Sequence, residues 1–379
     1  MSHGIYIHIP FCPQKCHYCD FNSYPLGSQP TQPYVDALVT EIRSAAPLVK
    51  GLPEPFATVF FGGGTPTTLE PTQFRQILSA VRETLPLDVD AEITTEANPG
   101  TVDRAKLSGV RESGVNRLSL GVQALDDRLL RTLGRVHDVG RVHDSVEAAR
   151  AAGFDNLSLD LMFGLPGQSP EDWSATLEGT LSFGVEHLSI YSLIVEPGTA
   201  FWSWRERGGL PLPEEEAELG MYELALRRTR EEGYSQYEVS NFAKPGRQCR
   251  HNLVYWRNEP YLGFGAGAVS YWGGVRRTNV LRPAAYVERV TAGADLVVSS
   301  EEATPLQSLG ETMMLGLRLL EGVDVREVTN RHGIDPCQQY AGHVSRMTQA
   351  GLLALEDHRL RLTPSGLPVA NSIWAGFVA

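Results

Sequence analysis

Ile5-Tyr6-Ile7-His8-Ile9 runs directly into Pro10-Phe11-Cys12-Pro13-Gln14-Lys15-Cys16-His17-Tyr18-Cys19, and the rest of the chain is organised around this join. The isoleucine alternation predicts a short strand. Behind it, three thiols fall within eight residues, in a loop short enough to curl around one inorganic centre. Thiolates are the soft ligands that iron-sulfur clusters require, and three of them on a four-iron cluster leave one iron without a protein ligand. A tetrahedral zinc site completed by His8 or His17 is also open on this spacing. A redox-active pair fits less well, because Cys16 and Cys19 share the loop with Cys12. Cys249 and Cys337 stand apart from this group.

Working outward, a strand-like run followed by a helical period recurs five more times. Residues 34–46 carry apolar side chains at helical spacing; then come strands at 58–61, 91–96, 116–120, 156–163 and 187–193. Helical segments at 72–85, 103–113, up to 151 and at 170–183 separate them. Strands alternating with helices predict a parallel sheet, and six such units predict an α/β fold, a partial TIM-like (β/α)6 barrel. In that architecture the chemistry lies at the strand C-termini. The unusual residues do follow the strands: the cysteines after the first, Gly62-Gly63-Gly64-Thr65-Pro66 after the second, and Glu96-Ala97-Asn98-Pro99 at the end of the third. Gly121-Val122-Gln123 follows the fourth, and Asp160 sits inside the fifth. Glycine lets a backbone approach a ligand closely, although a tight turn without a ligand would use the same residues.

A helix is expected at 214–232, whereas 234–272, rich in aromatics and glycine, fits no clean period and reads as an irregular extension. From about residue 300, helices at 306–320, 325–332 and 340–350 and a hairpin around Asp357-His358 predict a small α+β winged-helix-like module. The expected domains are therefore a core barrel at 1–235, an extension at 236–299 and a C-terminal module at 300–379.

With 379 residues the chain should hold two hydrophobic cores rather than one. It is 42% hydrophobic and 21% charged, which fits a folded protein. Its start has no basic stretch followed by an apolar one, and no run reaches about 18 apolar residues. A cytoplasmic location is the expectation. A formal charge of -12 argues against nucleic acid as the main partner.

Cys-x-x-x-Cys-x-aromatic-Cys after the first strand, with Gly-Gly-Gly-Thr-Pro after the second, resembles the radical S-adenosylmethionine (radical SAM) superfamily. More narrowly, the chain resembles the branch that contains oxygen-independent coproporphyrinogen III dehydrogenase and its relatives, the haem chaperones. The resemblance implies a 4Fe-4S cluster on Cys12, Cys16 and Cys19, with SAM at the open iron. It further implies that Tyr6, Gly63, Gly64, Thr65 and Glu96 contact SAM. Tyr18, Gln123, Arg135 and Asp160 would line the same pocket, where some members hold a second SAM. Carboxylates accept from ammonium or ribose hydroxyls, and a guanidinium pairs a carboxylate.

Two features separate the branches. The dehydrogenase pattern carries a further cysteine two positions after the third cluster cysteine, where this chain has Phe21. His251-Asn252-Leu253-Val254-Tyr255-Trp256, preceded by Cys249, matches the His-Asn-x-x-Tyr-Trp pattern of the chaperones. Imidazole and thiolate are both haem ligands, so His251 is the candidate axial ligand and Cys249 a weaker one; a core histidine beside packing aromatics would look alike. The resemblance therefore implies a haem carrier that hands haem to an acceptor such as a respiratory enzyme, with radical decarboxylation of coproporphyrinogen as the alternative. It also leaves room for a homodimer and for peripheral membrane contact. The C-terminal module reads as a lid or docking surface.

Overall fold

The computed structural model describes residues 3–27 and 31–378. Six parallel strands form its centre in consecutive order: β1 (His3–Ile9), β2 (Phe56–Gly63), β3 (Leu87–Ala97), β4 (Arg117–Gln123), β5 (Leu157–Phe163) and β6 (His187–Ser192). Helices α1 (Gln32–Ser44), α2 (Pro71–Thr84), α3 (Arg104–Glu112), α4 (Asp127–Leu133), α5 (Val139–Ala151) and α6 (Pro170–Leu181) connect them. This is the partial TIM-like barrel that the alternating pattern predicts. Asp103, Asp126, Asp138 and Ser169 cap α3 to α6 by accepting from first-turn amides, which satisfies donors a helix start leaves bare.

The strands alternate in a way that builds two surfaces at once. Ile5, Ile7, Ile9, Val59, Phe61, Leu118, Leu120, Leu157, Leu159 and Leu161 are buried in the main core beneath the helices. Their neighbours in sequence face the other way. Register then stacks those neighbours side by side: Tyr6 opposite Phe60, Phe60 opposite Thr94, Thr94 opposite Arg117. One layer up, Glu96 lies opposite Ser119, and Ser158 opposite both Ser119 and His187. The barrel interior is consequently lined largely by polar groups, an arrangement that requires each to find a partner.

The segment expected to be irregular is instead ordered into short strands on both edges of the sheet. Asn241–Ala243 pairs antiparallel with β6 and is followed outward by Ser235–Glu238. On the far side, Tyr261–Phe264 runs parallel to β1, and Val269–Trp272, Val275–Asn279 and Val297–Glu302 continue antiparallel from it. The result is one sheet of 12 strands. Strands of three to six residues are too short to show a period, which is why the pattern hid them.

The C-terminal module has its own core around Leu309, Met313, Leu360 and Phe377, a three-stranded sheet and a last helix, Ala370–Val378. Arg331 donates to the Arg257 and Asn258 carbonyls, and Asn258 to Thr312 Oγ1 (3.1 Å). Those residues lie just before Tyr261, which pairs near Gly4 at the start of β1. The module thus attaches at the strand N-termini, opposite the cysteine loop, and its lid reading is corrected: it does not cover that loop. No described helix is long and apolar enough to cross a membrane.

The extension is locked to the barrel by Glu41 on α1, whose carboxylate accepts from Tyr286 Oη (2.6 Å), Asn279 Nδ2 (2.6 Å) and the Gly265 amide (2.8 Å). Removing it strands three donors in the interior. Glu41→Ala should therefore lower stability by about 3 kcal/mol or more, measured by urea unfolding of the apo chain; a loss below about 1 kcal/mol would show that the lock is dispensable.

Candidate functional site

The cysteine loop is seated between two supports. On one side it lies against the end of β2: the Gly64 amide donates to Ile9 O (2.8 Å) and the Thr65 amide to Phe11 O (2.7 Å). A Cβ on Gly64 would stand 2.6 Å from Phe11 O, and one on Gly63, whose φ is +112°, would stand 2.5 Å from the His8 ring. Close packing of the loop alone thus requires these two glycines. On the other side the loop docks on α4 and the helix Ala200–Glu206. The His17 amide donates to Leu133 O (3.0 Å), His17 O accepts from the Phe201 amide (3.0 Å), and the His17 ring lies 4.9 Å from that of Trp204.

This placement removes the zinc reading of His8, both of whose ring nitrogens are bonded. His17 Nδ1 bonds Thr132 O (2.9 Å), while His8 spends Nε2 on Asn22 O (2.9 Å) and Nδ1 on Tyr6 Oη (3.0 Å). Among the described residues, no group of three or more His, Cys, Asp or Glu side chains is arranged to hold a single metal ion.

Cys12, Cys16 and Cys19 are free thiols around one cleft of about 120 Å³ that opens to solvent. Thr65 Oγ1 donates to Cys12 Sγ (3.5 Å), Arg135 Nη1 to Cys16 Sγ (3.5 Å), and Ser23 Oγ lies 3.9 Å from Cys19 Sγ. Burial pushes the Cys12 and Cys19 thiols above their ordinary range, so a metal centre would have to displace their protons. Of the residues singled out from sequence, Tyr18, Gly63, Gly64, Thr65, Glu96, Gln123, Arg135 and Asp160 all border this cleft.

Each polar group arrives by a local device. At Gln123 the β4–β5 register slips and φ is +71°, a bulge that turns the side chain toward the mouth. Arg135, just past α4, donates to Gly121 O (2.5 Å) and to Asn98 Oδ1, and its Nε is buried with no partner among the protein atoms. Desolvation, then the charge of Asp160, pushes the Glu96 carboxyl up to about 8. Asp160 is likewise raised by burial, against donation from Ser119 Oγ (2.9 Å). An unpaired buried guanidinium donor, two carboxyls raised by burial and three thiols on one cleft suit a polar, zwitterionic ligand beside a metal cluster. The donor set thus fits a 4Fe-4S cluster and SAM.

Tyr6 stands one step deeper, in an adjoining cavity of about 350 Å³ that shares Phe21, Gly63 and Glu96 with the cleft. His251 is not brought to either. It is 1% exposed on the barrel floor, with Nδ1 bonded to Thr58 Oγ1 (2.8 Å) and Nε2 to Tyr255 Oη (2.9 Å). Its expected role as haem ligand is not met in this conformation, because neither ring nitrogen is free. Burial holds its pKa down to about 3, so the imidazole is neutral. Cys249 is equally buried, its Sγ 3.7 Å from Glu92 Oε1 and its thiol pushed up to about 12. Sequence reasoning noted Asn98 at a strand end without a role, and the structure makes it the partner of Arg135; it missed Ser119, for which a polar residue interrupting Leu118 and Leu120 was the available signal.

Comparison with known proteins gives the family. Residues 6–178 match the Radical SAM superfamily, and residues 303–369 the HemN C-terminal domain. The chain is 40% identical over 374 residues to the heme chaperone HemW of Bacillus subtilis, covering 98% of both chains. The chain belongs to the HemW family of radical SAM proteins. It is also 42% identical over 268 residues to HemW of Escherichia coli, covering 70% of this chain and 69% of that one. Escherichia coli HemN, a coproporphyrinogen III oxidase and radical SAM enzyme, superposes with a TM-score of 0.86 at 24% identity, covering 100% of this chain and 90% of that one. That likeness establishes the shared fold. A 4Fe-4S cluster and SAM follow from the radical SAM family.

The Glu96 environment yields a test without any ligand. Its folded pKa of about 8 lies above the unfolded value of about 4.3, so its contribution to stability is full below about pH 4 and lost as pH rises through 8. Glu96→Gln should gain melting temperature relative to wild type progressively over that window. A constant difference across it would mean that Glu96 is not desolvated.

Proposed function

We propose that this chain is a haem chaperone, which binds haem as cargo and passes it to an acceptor protein, while Cys12, Cys16 and Cys19 hold a 4Fe-4S cluster and the adjacent cleft holds SAM. The similarity to HemW over nearly the whole chain carries this reading. Phe21 supports it: it is 61% exposed at the rim shared by both cavities, where the dehydrogenase pattern has a thiol.

When bound, a cluster with one iron free of protein supplies an electron and a seat for the amino and carboxylate groups of SAM. The chain's own residues do the rest. Thr65 and Arg135 donate to two of the cluster sulfurs, which favours the thiolate form that metal ligation needs. Arg135 Nε–H, Gln123, Glu96 and Asp160 offer the donors and acceptors that orient an amino acid and a ribose. Tyr6 closes the inner end, its hydroxyl tied to His8 and its ring stacked on Phe60 with centroids 6.4 Å apart.

Haem ligation by His251 would require one of its two ring bonds to break and the helix Arg250–Trp256 to lift from the floor. Haem titration of His251→Ala decides the point. Loss of the bound haem spectrum supports ligation through such a movement, whereas unchanged affinity and spectrum assign His251 to holding the floor together.

The carrier and the catalyst are separated by incubating reduced, reconstituted protein with coproporphyrinogen III and SAM. The proposal predicts no protoporphyrinogen, together with saturable haem binding and haem transfer to an apo-acceptor. Stoichiometric decarboxylation would overturn it.

A further inference from the structure

A file of buried side chains runs from the barrel floor to one carboxylate of the cleft. The Cys249 amide lies 3.3 Å from Tyr237 Oη, and Tyr237 Oη lies 2.9 Å from His187 Nε2. His187 Nδ1 lies 2.8 Å from Ser158 Oγ, which lies 3.4 Å from Asp160 Oδ1. The file has a direction, since a backbone N–H can only donate, a carboxylate can only accept, and among the described residues His187 Nε2 is the acceptor bonded by the Tyr237 hydroxyl. Read from the floor, Cys249 N–H donates to Tyr237, and Tyr237 O–H donates to Nε2. The Nδ1–H then donates to Ser158, whose own hydroxyl proton is left for Asp160. Every polar atom of this buried file is satisfied in that one arrangement, with His187 as the neutral Nδ1–H tautomer. No solvent competes at its centre: Ser158 and His187 are both fully buried.

We propose that His187 is a positioning residue for the SAM cleft, which acts through Ser158 to direct a hydroxyl onto Asp160 and so fixes that carboxylate as an acceptor for the hydroxyl groups of a bound nucleoside. This rests on the reading that Asp160 meets SAM. The bond is long, and it shares Asp160 Oδ1 with the shorter bond from Ser119 Oγ (2.9 Å), so His187 orients one of three serine donors to that carboxylate. From the neighbouring strands Asp160 also faces Ser119 and Arg117 of β4, Ser189 and Tyr191 of β6, and Glu96 of β3. His187 faces Arg117 and Tyr237 besides Ser158. Burial and the Arg117 charge hold His187 well below its ordinary pKa, which agrees with a neutral ring. A donor to a carboxylate favours its charged form, so losing the Ser158 hydroxyl raises the pH at which Asp160 takes up a proton.

The test is SAM binding by calorimetry to cluster-reconstituted protein between about pH 5.5 and 8.5, with the wild type, His187→Leu, Ser158→Ala, their double variant, His187→Gln and Asp160→Asn. His187→Leu and Ser158→Ala should each weaken binding about tenfold and move its acid limb to higher pH. The double variant should lose no more than either single one, because both cut the same file. His187→Gln, which can donate to Ser158 and accept from Tyr237, should restore most of the affinity. Additive losses, or an unmoved acid limb, would overturn the proposal while leaving the SAM assignment of Asp160 in place. Unchanged binding by Asp160→Asn would overturn that assignment and the proposal with it. Should His187→Leu fail to fold, Tyr237→Phe carries the same test: it removes the donor to Nε2, and ring nitrogen-15 shifts should then show a change from the Nδ1–H tautomer seen in the wild type. Retention of the wild-type tautomer together with wild-type SAM affinity would overturn the proposal.

Discussion

Everything at the mouth of this barrel depends on the cysteine loop lying flat against the end of the second strand. The contact is made of backbone, with amides of Gly64 and Thr65 on carbonyls of Ile9 and Phe11, and it leaves no room for a Cβ at Gly64. Because the support is backbone, the loop's position does not depend on which side chains face the cleft. Cys12 is thereby held in the wall, with Cys16 and Cys19 on the opposite arc, where His17 anchors the loop to α4. The same support sets the glycine run beside the thiols, so a group held by the cysteines and a ligand resting on the glycines would be neighbours by construction.

The second constraint is the polar barrel interior. A charged residue such as Arg117, 2% exposed, is costly to bury alone. Glu92, Asp160 and the polar floor around Tyr237 and Cys249 surround it. Opposed charges in a site largely closed to water hold each other in place, but burial outweighs the Arg117 charge at Glu96 and Asp160 and raises both carboxyls. Pockets that must grip a polar ligand gain from such groups, since the ligand supplies the partners that the protein withholds. Cargo binding poses a different problem. A flat macrocycle needs apolar surface, and aromatic surface is present near the cleft at the exposed rim with Phe21 and inside the adjoining cavity with Tyr6, Phe60, Tyr255 and Tyr261.

The sequence made much of this legible, for physical reasons that can be named. Six βα units were readable because most of the strands alternate apolar and polar residues, as Ile5 to Ile9 and Leu157 to Leu161 do, and the second is a short apolar run before a glycine turn. Gln123 and Asp160 stood out because a polar side chain between leucines and valines must meet something. The edge strands were hidden by their shortness and by glycine-rich turns, and their pairing with β1 and β6 is a long-range fact that no local pattern records. The histidines misled in an instructive way. His8 and His17 sit where ligands would, yet His8 spends both ring nitrogens on Asn22 and Tyr6, and His17 spends Nδ1 on Thr132. His251 lies in a motif of aromatics, but only the fold shows it pinned to Thr58 on the floor.

The most direct measurement of the central claim is iron and sulfide analysis of anaerobically reconstituted protein, joined to electron paramagnetic resonance of its reduced form with and without SAM. A cluster on Cys12, Cys16 and Cys19 gives about four irons per chain, a signal that SAM perturbs, and loss of both in Cys16→Ala. Zinc in place of iron, or a reduced cluster indifferent to SAM, would contradict it.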